Sequence, residues 1–381
     1  MDKMADVLGR AGAWCGQNKY LSAIKNAFQN FMPLTIAGAI GVLWCNVLVN
    51  DQTGLGLFFK PIMALDFLNP AFQAVNFCTI SCITVGITLG IAQEIGVWNM
   101  GAEKAGYIPG LVGLAAWLSV TNTSHMVEGA KEAFTGIAGN ELGATGLFTG
   151  MIIGVLSVEL FCFFEKQDAL KIKMPEQVPP GVARAFEVLV PATITLIITA
   201  CIGSACYNLT GLYLNDVIKN GIQGPLGAVG ATIPGVMIIY LVIMLFWLVG
   251  IHGNNMLSAV KEALFTPLAL ENVEKFNKGE KPTNIINMYA LQMWGEFGGS
   301  GVTIGLVIAI MIFGKREDNK AIATLSLVPG LFNINETVTF GIPMVLNPIL
   351  GIPFVFACLV TILVGYVLTV IGFCPVACLT V

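Results

Sequence analysis

The sequence predicts an all-α polytopic membrane protein, with about 8–10 transmembrane helices and two re-entrant or broken hairpin elements in the C-terminal half. The first observation is composition: of 381 residues, 56% are hydrophobic and 11% are charged, against about 25% charged in soluble domains. The second is a series of apolar stretches of roughly 20 residues, the length that crosses a bilayer. The third is a pair of C-terminal segments where proline, glycine and polar residues interrupt apolar sequence.

The elements follow in chain order. Residues 1–28 mix charged and apolar residues and predict an amphipathic helix at the cytoplasmic membrane surface. Residues 29–165 are predicted to form a first transmembrane domain, 166–183 a cytoplasmic linker, and 184–381 a second membrane domain that holds the broken elements. Regular spans are predicted at 31–49, 71–94, 107–121, 145–165, 184–204, 230–250, 298–314 and 351–373.

The distribution of lysine and arginine orients these spans. Segments 1–28, 166–184 and 261–281 hold four basic residues each, whereas the connections 50–70, 122–144 and 206–229 hold one each. Four spans separate the first basic segment from the second, so both fall on one side. The positive-inside rule makes that side the cytoplasm, with the N-terminus inside.

The alternation of sides fails after residue 250. By this count, span 230–250 returns the chain to the cytoplasm. Span 298–314 must nevertheless start outside, because Lys315 at its end is expected in the cytoplasm. The residues before it, 282–297, are too short and polar to form the ordinary span that would be needed in between. A re-entrant hairpin or broken helix between 251 and 297 restores the alternation. Two interrupted segments in one half of a transporter mark the expected binding site.

Residues 328–350 predict the second interrupted element. Glu336 stands there among Asn333, Asn335 and two threonines, in apolar sequence broken by prolines and glycines. Interior prolines remove backbone donors and clash with the preceding turn, so this stretch cannot form one regular helix. Irregular backbone at membrane depth is tolerated where it is buried in protein or lines a watery cavity. An acidic residue there is a functional candidate.

A second polar cluster follows the span 230–250. His252, Asn254 and Asn255 stand beside Gly250 and Gly253, and glycine allows the backbone to leave the helix. A lone histidine at a span end is usually structural, but the neighbouring asparagines favour a binding role.

The third cluster is the glycine-rich run 298–303, which follows Trp294 and Glu296. It lacks the Gly-Lys-Ser/Thr ending of a phosphate-binding loop, so tight packing and close ligand approach remain alternatives. Trp294 or Trp247 could stack on a sugar ring or belong to the interfacial aromatic belt. Glu159 and Glu187, in or near apolar spans, are interpreted as inter-helix or cytoplasmic-edge residues.

Cofactor and metal binding are not expected. The cysteines lie mostly in apolar segments, without neighbouring histidine or carboxylate ligands, and are interpreted as small core residues. The net charge of −4 is too small to argue for or against nucleic acid, but the basic residues form no groove-like cluster, so nucleic acid is not an expected partner.

Asparagine, histidine, glutamate, threonine and tryptophan together offer donors, acceptors and a stacking face without excess positive charge. This combination suits a neutral polyhydroxyl ligand better than an anion. A carboxylate can accept hydrogen bonds from two sugar hydroxyls at once.

These motifs resemble the enzyme IIC membrane component of phosphoenolpyruvate-dependent sugar phosphotransferase systems, in the lactose/cellobiose/diacetylchitobiose family. The matching motifs run along nearly the whole chain: Met-Pro-x-x-Val-Pro-Pro-x-Val-Ala-Arg-x-Phe at 174–186, Gly-Ile-His-Gly at 250–253, Gly-Gly-Ser-Gly-x-Thr at 298–303, Phe-Asn-Ile-Asn-Glu at 332–336 and Pro-Met-Val-Leu-Asn-Pro at 343–348.

The resemblance implies that Glu336 and His252 bind sugar, and we assign Asn333, Asn335, Asn254 and Trp294 to the same site. It further implies a β-linked disaccharide substrate, a homodimer formed by residues 29–165, and an elevator motion of 184–381. Phosphorylation would come from separate enzyme IIB and IIA chains, because this chain contains no soluble region large enough to be either, and no residue of this chain is expected to carry a phosphoryl group. No catalytic residue is therefore assigned.

Two departures from the family pattern stand out. Thr337 occupies the position after Glu336 where the family usually has proline, which alters the expected local turn. Family members also continue beyond the position of Val381 with a further segment and span, so we expect this chain to be truncated at its C-terminus.

Two rival functions remain. An ion-coupled sugar symporter needs a titrating or cation-binding carboxylate, for which Glu336 or Glu296 is a candidate. The second rival is a membrane-embedded enzyme or a structural scaffold. An intramembrane hydrolase needs a nucleophile and a base, and only His252 near Ser258 suggests such a pair.

Overall fold

The computed structural model describes residues 6–7, 9–10, 13–14, 17–51, 54–125, 134–175, 177–225, 230–331, 333–342, 344 and 347–378. The chain forms two compact units. One is Lys19–Pro225, and the other comprises Leu226–Val381 with Met1–Asn18.

The unit 19–225 is built from long apolar helices. They are α1 (Lys19–Leu43), α2 (Asn69–Cys78), α3 (Ile83–Met100), α4 (Ala102–Ala105), α5 (Ile108–Val120), α6 (Gly139–Leu142), α7 (Ala144–Glu165), α8 (Pro180–Thr210) and α9 (Leu214–Ile218). Between α1 and α2, 3-10 turns occupy Leu55–Leu57 and Lys60–Leu68. Strands β1 (Ser124–His125) and β2 (Phe134–Thr135) pair antiparallel, with Ser124 opposite Thr135.

Small residues allow these helices to pack closely. A Cβ added to Gly113 would lie 2.3 Å from the Cβ of Ala92, and one added to Gly150 would lie 2.2 Å from the Thr88 hydroxyl oxygen. Helix α3 therefore approaches both α5 and α7 at glycine positions, as is typical of membrane helix packing. Trp117, which is fully buried, fills the core between α5 and α7.

One end of this unit is held by an ionic cluster. The Glu165 side chain, 1% exposed, forms ion pairs with both Lys104 and Arg184, at 2.9 Å in each case. Arg184 also pairs with Glu187 at 2.7 Å. The cluster joins α4, the end of α7 and the start of α8. Glu159 pairs with Lys19 across helices at 2.6 Å, as its inter-helix interpretation predicts, whereas a cytoplasmic-edge position for Glu187 stays a prediction.

The second unit contains shorter and more interrupted helices. They are α10 (Ile233–Leu248), α11 (Gly253–Met256), α12 (Ser258–Asn277), α13 (Met288–Gly295), α14 (Thr303–Phe313), α15 (Glu317–Leu331), α16 (Glu336–Gly341) and α17 (Pro348–Val370). Helices α10 and α13 pack on α17, and α14 packs on α15. The core includes Tyr240, Phe265 and Cys358, which are fully buried.

The predicted fold class is confirmed. Within the part of the chain that the structure describes, five helical stretches are long and apolar enough to cross a membrane, and Ile108–Val120, Ile233–Leu248 and Thr303–Phe313 are shorter apolar helices. Residues 251–297 hold α11, α12 and α13 in place of one span, and 328–350 is divided between α15, α16 and α17. Both predicted interruptions are therefore present.

Two boundaries differ from the sequence-based expectation. Residues 19–28 are continuous with the helix of the first predicted span, because α1 starts at Lys19, and their place at the membrane surface stays a prediction. The compact units divide at Pro225 and Leu226, because α8 packs against α5 and α7. The functional division into 29–165 and 184–381 stays a prediction.

Replacement of Glu165 by glutamine should destabilise the unit 19–225. Arg184 would keep Glu187 but lose its buried carboxylate partner, which should cost about 1–2 kcal/mol and lower the Tm by roughly 2–4 °C. Thermal unfolding of purified full-length protein in detergent measures this change. Asp168→Asn is the matched control, since Asp168 is 82% exposed and pairs with Lys171 at 3.2 Å. An unchanged Tm for Glu165→Gln would contradict a stabilising role for the cluster.

Candidate functional site

The segment after α10 turns sharply at Gly250, whose φ of +83° lies in the left-handed region. His252 then caps α11, because its Nδ1 accepts a hydrogen bond of 3.3 Å from the backbone N–H of Asn255. The imidazole also lies against Trp247, with 4.3 Å between ring centroids. His252 is thus fixed in orientation by its own backbone and by an aromatic neighbour.

Asn254 connects this turn to the glycine-rich run. Its Nδ2 donates a hydrogen bond of 2.7 Å to the Ser300 hydroxyl, and its Oδ1 accepts one of 3.4 Å from the Lys261 ammonium. The two partners lie on different elements, since Lys261 belongs to α12 and Ser300 precedes α14. Asn254 therefore joins three parts of this unit.

The glycine-rich run adopts a conformation that only glycine accepts readily. Gly298, Gly299 and Gly301 all have positive φ, and a Cβ added to Gly299 would lie 2.3 Å from the Cβ of Asn335. The run is therefore tightly packed, and close approach of a ligand to it stays a prediction. The loop passes directly against the residue before Glu336.

Asn333 and Asn335 bind that loop from the other side. The Asn333 side-chain oxygen accepts a hydrogen bond of 2.7 Å from the Gly298 N–H, and Asn333 itself has a φ of +62°. Asn335, 3% exposed, donates through Nδ2 to the Ser300 carbonyl at 2.9 Å and to the Thr339 hydroxyl at 3.2 Å. Both interrupted segments are therefore held together through Ser300.

Glu336 is the first residue of α16. Its backbone position places it directly after the buried Asn335, while its side chain lies outside the part of the chain that the structure describes. Its assignment to a sugar site stays a prediction.

Trp294, near the end of α13, packs on α17. A Cβ added to Gly365 would lie 2.4 Å from the indole ring, so the glycine makes room for the tryptophan. Packing between α13 and α17 therefore accounts for the position of the Trp294 side chain. Its stacking on a sugar stays a prediction.

Sequence analysis missed a buried charged group beside the site. Lys261 was counted among the basic residues of a cytoplasmic segment, yet it is 5% exposed and pairs with Glu296. The Tyr240 hydroxyl donates a hydrogen bond of 2.8 Å to the same carboxylate. The sequence signal that could have predicted this pair was Glu296. An acidic residue beside an apolar, glycine-rich run is expected to be buried, and a buried carboxylate needs a cation nearby.

The Ser258 hydroxyl bonds to the backbone of Asn255 rather than to the His252 imidazole. It donates to the Asn255 carbonyl oxygen at 2.9 Å, and the His252 Nδ1 is used by the Asn255 N–H. The hydroxyl is engaged with the backbone of its own turn, which gives no support to the rival of an intramembrane hydrolase.

The comparisons with known proteins agree with this architecture. The family model described as "Phosphotransferase system, EIIC" matches residues 25–358. The chain is 32% identical over 98% of its length to the oligo-beta-mannoside-specific EIIC component of Bacillus subtilis (strain 168), and the match covers 83% of that protein. It is 28% identical over 96% of its length to the cellobiose-specific EIIC component of Lactococcus lactis subsp. lactis (strain IL1403), covering 86% of that protein.

A solved structure shows the same fold. The crystal structure of the transporter ChbC, the IIC component from the N,N'-diacetylchitobiose-specific phosphotransferase system, superimposes with a TM-score of 0.86 at 29% identity. The match covers 96% of this chain and 84% of that chain. The motifs, the interrupted helices and these similarities define a multi-pass membrane permease component. The chain belongs to the phosphotransferase system EIIC family.

Replacement of Gly299 by alanine should disrupt the candidate site. The added methyl group meets Asn335 and forces a left-handed backbone at φ +95° on a residue with a side chain. These two effects together should cost about 2–4 kcal/mol, measured as a lower Tm of the purified protein.

The matched control is Gly305→Ala in α14, where an added Cβ meets no atom within 4 Å. This change should leave the Tm unchanged or raise it slightly, since alanine favours helix over glycine by about 1 kcal/mol. Equal tolerance at both positions would contradict close packing of the loop on Asn335.

Proposed function

We propose that the chain binds a β-linked disaccharide and carries it across the bacterial cytoplasmic membrane, with its N-terminus in the cytoplasm. The observation that supports this most is the joining of two interrupted segments by Asn254, Ser300 and Asn335 within the unit 226–381. Broken backbone with polar side chains is where transporters bind substrate. The oligo-beta-mannoside, cellobiose and diacetylchitobiose specificities in the names of the related proteins support a β-linked sugar.

The proposed polar contacts to the sugar divide into two groups. His252 and Glu336 are placed as direct ligands, with the carboxylate accepting hydrogen bonds from hydroxyls and orienting the one to be phosphorylated. Asn333, Asn335 and Asn254 brace the surrounding backbone and add amide groups at the edge of the site. Trp294 is proposed as a stacking face for a sugar ring.

Transport is proposed to be coupled to phosphorylation. The sugar enters from outside, is carried in an occluded site by an elevator motion of residues 184–381, and receives a phosphoryl group from a phosphocysteine on a separate enzyme IIB, which enzyme IIA reloads. Residues 29–165 form the fixed scaffold and the interface of a homodimer. In this scheme the chain supplies positioning and no phosphoryl-carrying residue.

The rival ion-coupled symporter needs a carboxylate that is free to exchange protons or cations. Glu296 was one candidate for that role. It is paired with Lys261 and accepts the Tyr240 hydroxyl bond, so its charge is already compensated. This pairing favours the phosphotransferase function over coupling through Glu296.

Transport assays in proteoliposomes test the proposal. Exchange of labelled cellobiose and N,N'-diacetylchitobiose across the membrane is first measured without an ion gradient. Accumulation of sugar phosphate is then measured with phosphorylated enzyme IIB inside the vesicles. We expect exchange of unmodified sugar alone and accumulation of sugar phosphate when enzyme IIB is present. A requirement for a proton or sodium gradient would instead establish the symporter.

Glu336→Gln tests the principal site residue in a direct binding measurement on the purified protein. Loss of a charge-assisted hydrogen bond should weaken sugar binding by at least about tenfold, measured as Kd by calorimetry. Glu317→Gln is the matched control, because Glu317 is 85% exposed and pairs with Lys320 at the surface. If both variants bind sugar like the wild type, Glu336 is not a ligand.

A further inference from the structure

A buried ion pair lies beside the candidate site. The side chains of Lys261 and Glu296 are 7% and 16% exposed, and their charged groups are in direct contact. Tyr240, fully buried, donates to the same carboxylate at 2.8 Å, and the Lys261 ammonium lies 5.4 Å from the centre of the Tyr240 ring. Each charge is therefore compensated within one small cluster.

The stability that such a pair adds does not explain its presence. Removing two charges from water costs about as much as their attraction returns, and apolar residues of similar size are often as stable or more so. An alternative reason for a protein to keep a buried ion pair is that the pair fixes one arrangement of the neighbouring polar groups. The relevant neighbour here is Asn254.

Lys261 determines which way the Asn254 amide faces. Its ammonium can only donate, so it selects the amide oxygen as its partner at 3.4 Å. The amide nitrogen is then directed to the Ser300 hydroxyl, at 2.7 Å. Without the ammonium, the amide could rotate and the bond to Ser300 would lose its fixed geometry.

The effect continues to the second interrupted segment. The Ser300 carbonyl accepts a hydrogen bond of 2.9 Å from Asn335, which immediately precedes Glu336. A chain of contacts therefore runs from Glu296 through Lys261, Asn254 and Ser300 to Asn335. It starts at a buried charge and ends next to the carboxylate that the proposed function places on the sugar.

We propose that Lys261 and Glu296 are positioning residues for sugar binding, which act through Asn254 to hold the glycine-rich loop and the 333–336 segment in the binding arrangement. This inference rests on the proposed function. It assigns a role to charges that do not themselves contact sugar.

The test measures the Kd of purified full-length protein for cellobiose and N,N'-diacetylchitobiose by calorimetry. The variants are Lys261→Met, Asn254→Ala and the combination of the two. If Lys261 acts through Asn254, each single change weakens binding by about tenfold and the combination weakens it by about the same factor, because the effects share one pathway. Independent effects that multiply to about a hundredfold would overturn the inference.

Two further variants separate positioning from general stability. Lys261→Met with Glu296→Gln removes both charges, so no buried charge is left unpaired and the Tm should stay close to that of the wild type. Binding should nevertheless remain weakened, because the Asn254 oxygen has lost its donor. Ser300→Ala interrupts the same chain without altering any charge and should weaken binding similarly. Wild-type Kd values in both variants would overturn the inference.

Controls distinguish this inference from the proposed function. Glu159→Gln breaks the Lys19 ion pair in the other unit and should leave the Kd unchanged. If the wild-type protein binds neither disaccharide, the proposed function fails. If the wild type binds and every variant of the cluster binds equally well, only the positioning role fails.

Discussion

The structure depends on one constraint: irregular backbone inside a membrane must have its polar groups satisfied by the protein itself. In the unit 226–381, two segments leave the helical conformation, and side-chain amides supply the missing partners. Asn333 accepts the bond from the Gly298 N–H, and Asn335 donates to the Ser300 carbonyl. The same amides that make the broken backbone tolerable also bring both segments to one place. The packing of the fold and the assembly of the candidate site are therefore achieved by the same hydrogen bonds.

The sequence was sufficient for the fold class and for the position of both interruptions. Apolar length identified the spans, and the prolines around Glu336 excluded a single helix across 328–350. The start of α1 at Lys19 was missed, because Lys19 and Lys25 made the first turns look like a surface helix. Lys19 is in fact paired with Glu159. Local charge cannot show whether a lysine faces water or a distant carboxylate.

The same limit applies to the candidate site. The assignment of Asn254 and Asn335 to a sugar site stays a prediction. The structure adds that both side chains bond to Ser300, and this meeting depends on a loop 35 residues before Asn335. Lys261 was assigned to a cytoplasmic segment because three other lysines lie between residues 275 and 281. Its burial follows only from the approach of α12 to Glu296, a long-range contact that periodicity does not encode.

The central claim is that the two interrupted segments form one sugar site. A structure of the full-length protein with bound N,N'-diacetylchitobiose or cellobiose tests it most directly. The account predicts a sugar that contacts residues of both the 252–254 turn and the 333–336 segment, with a hydroxyl on Glu336. A sugar bound away from both segments, for example in the apolar cavity of about 470 Å³ lined by Leu306, Phe354 and Val360 between α14 and α17, would contradict it.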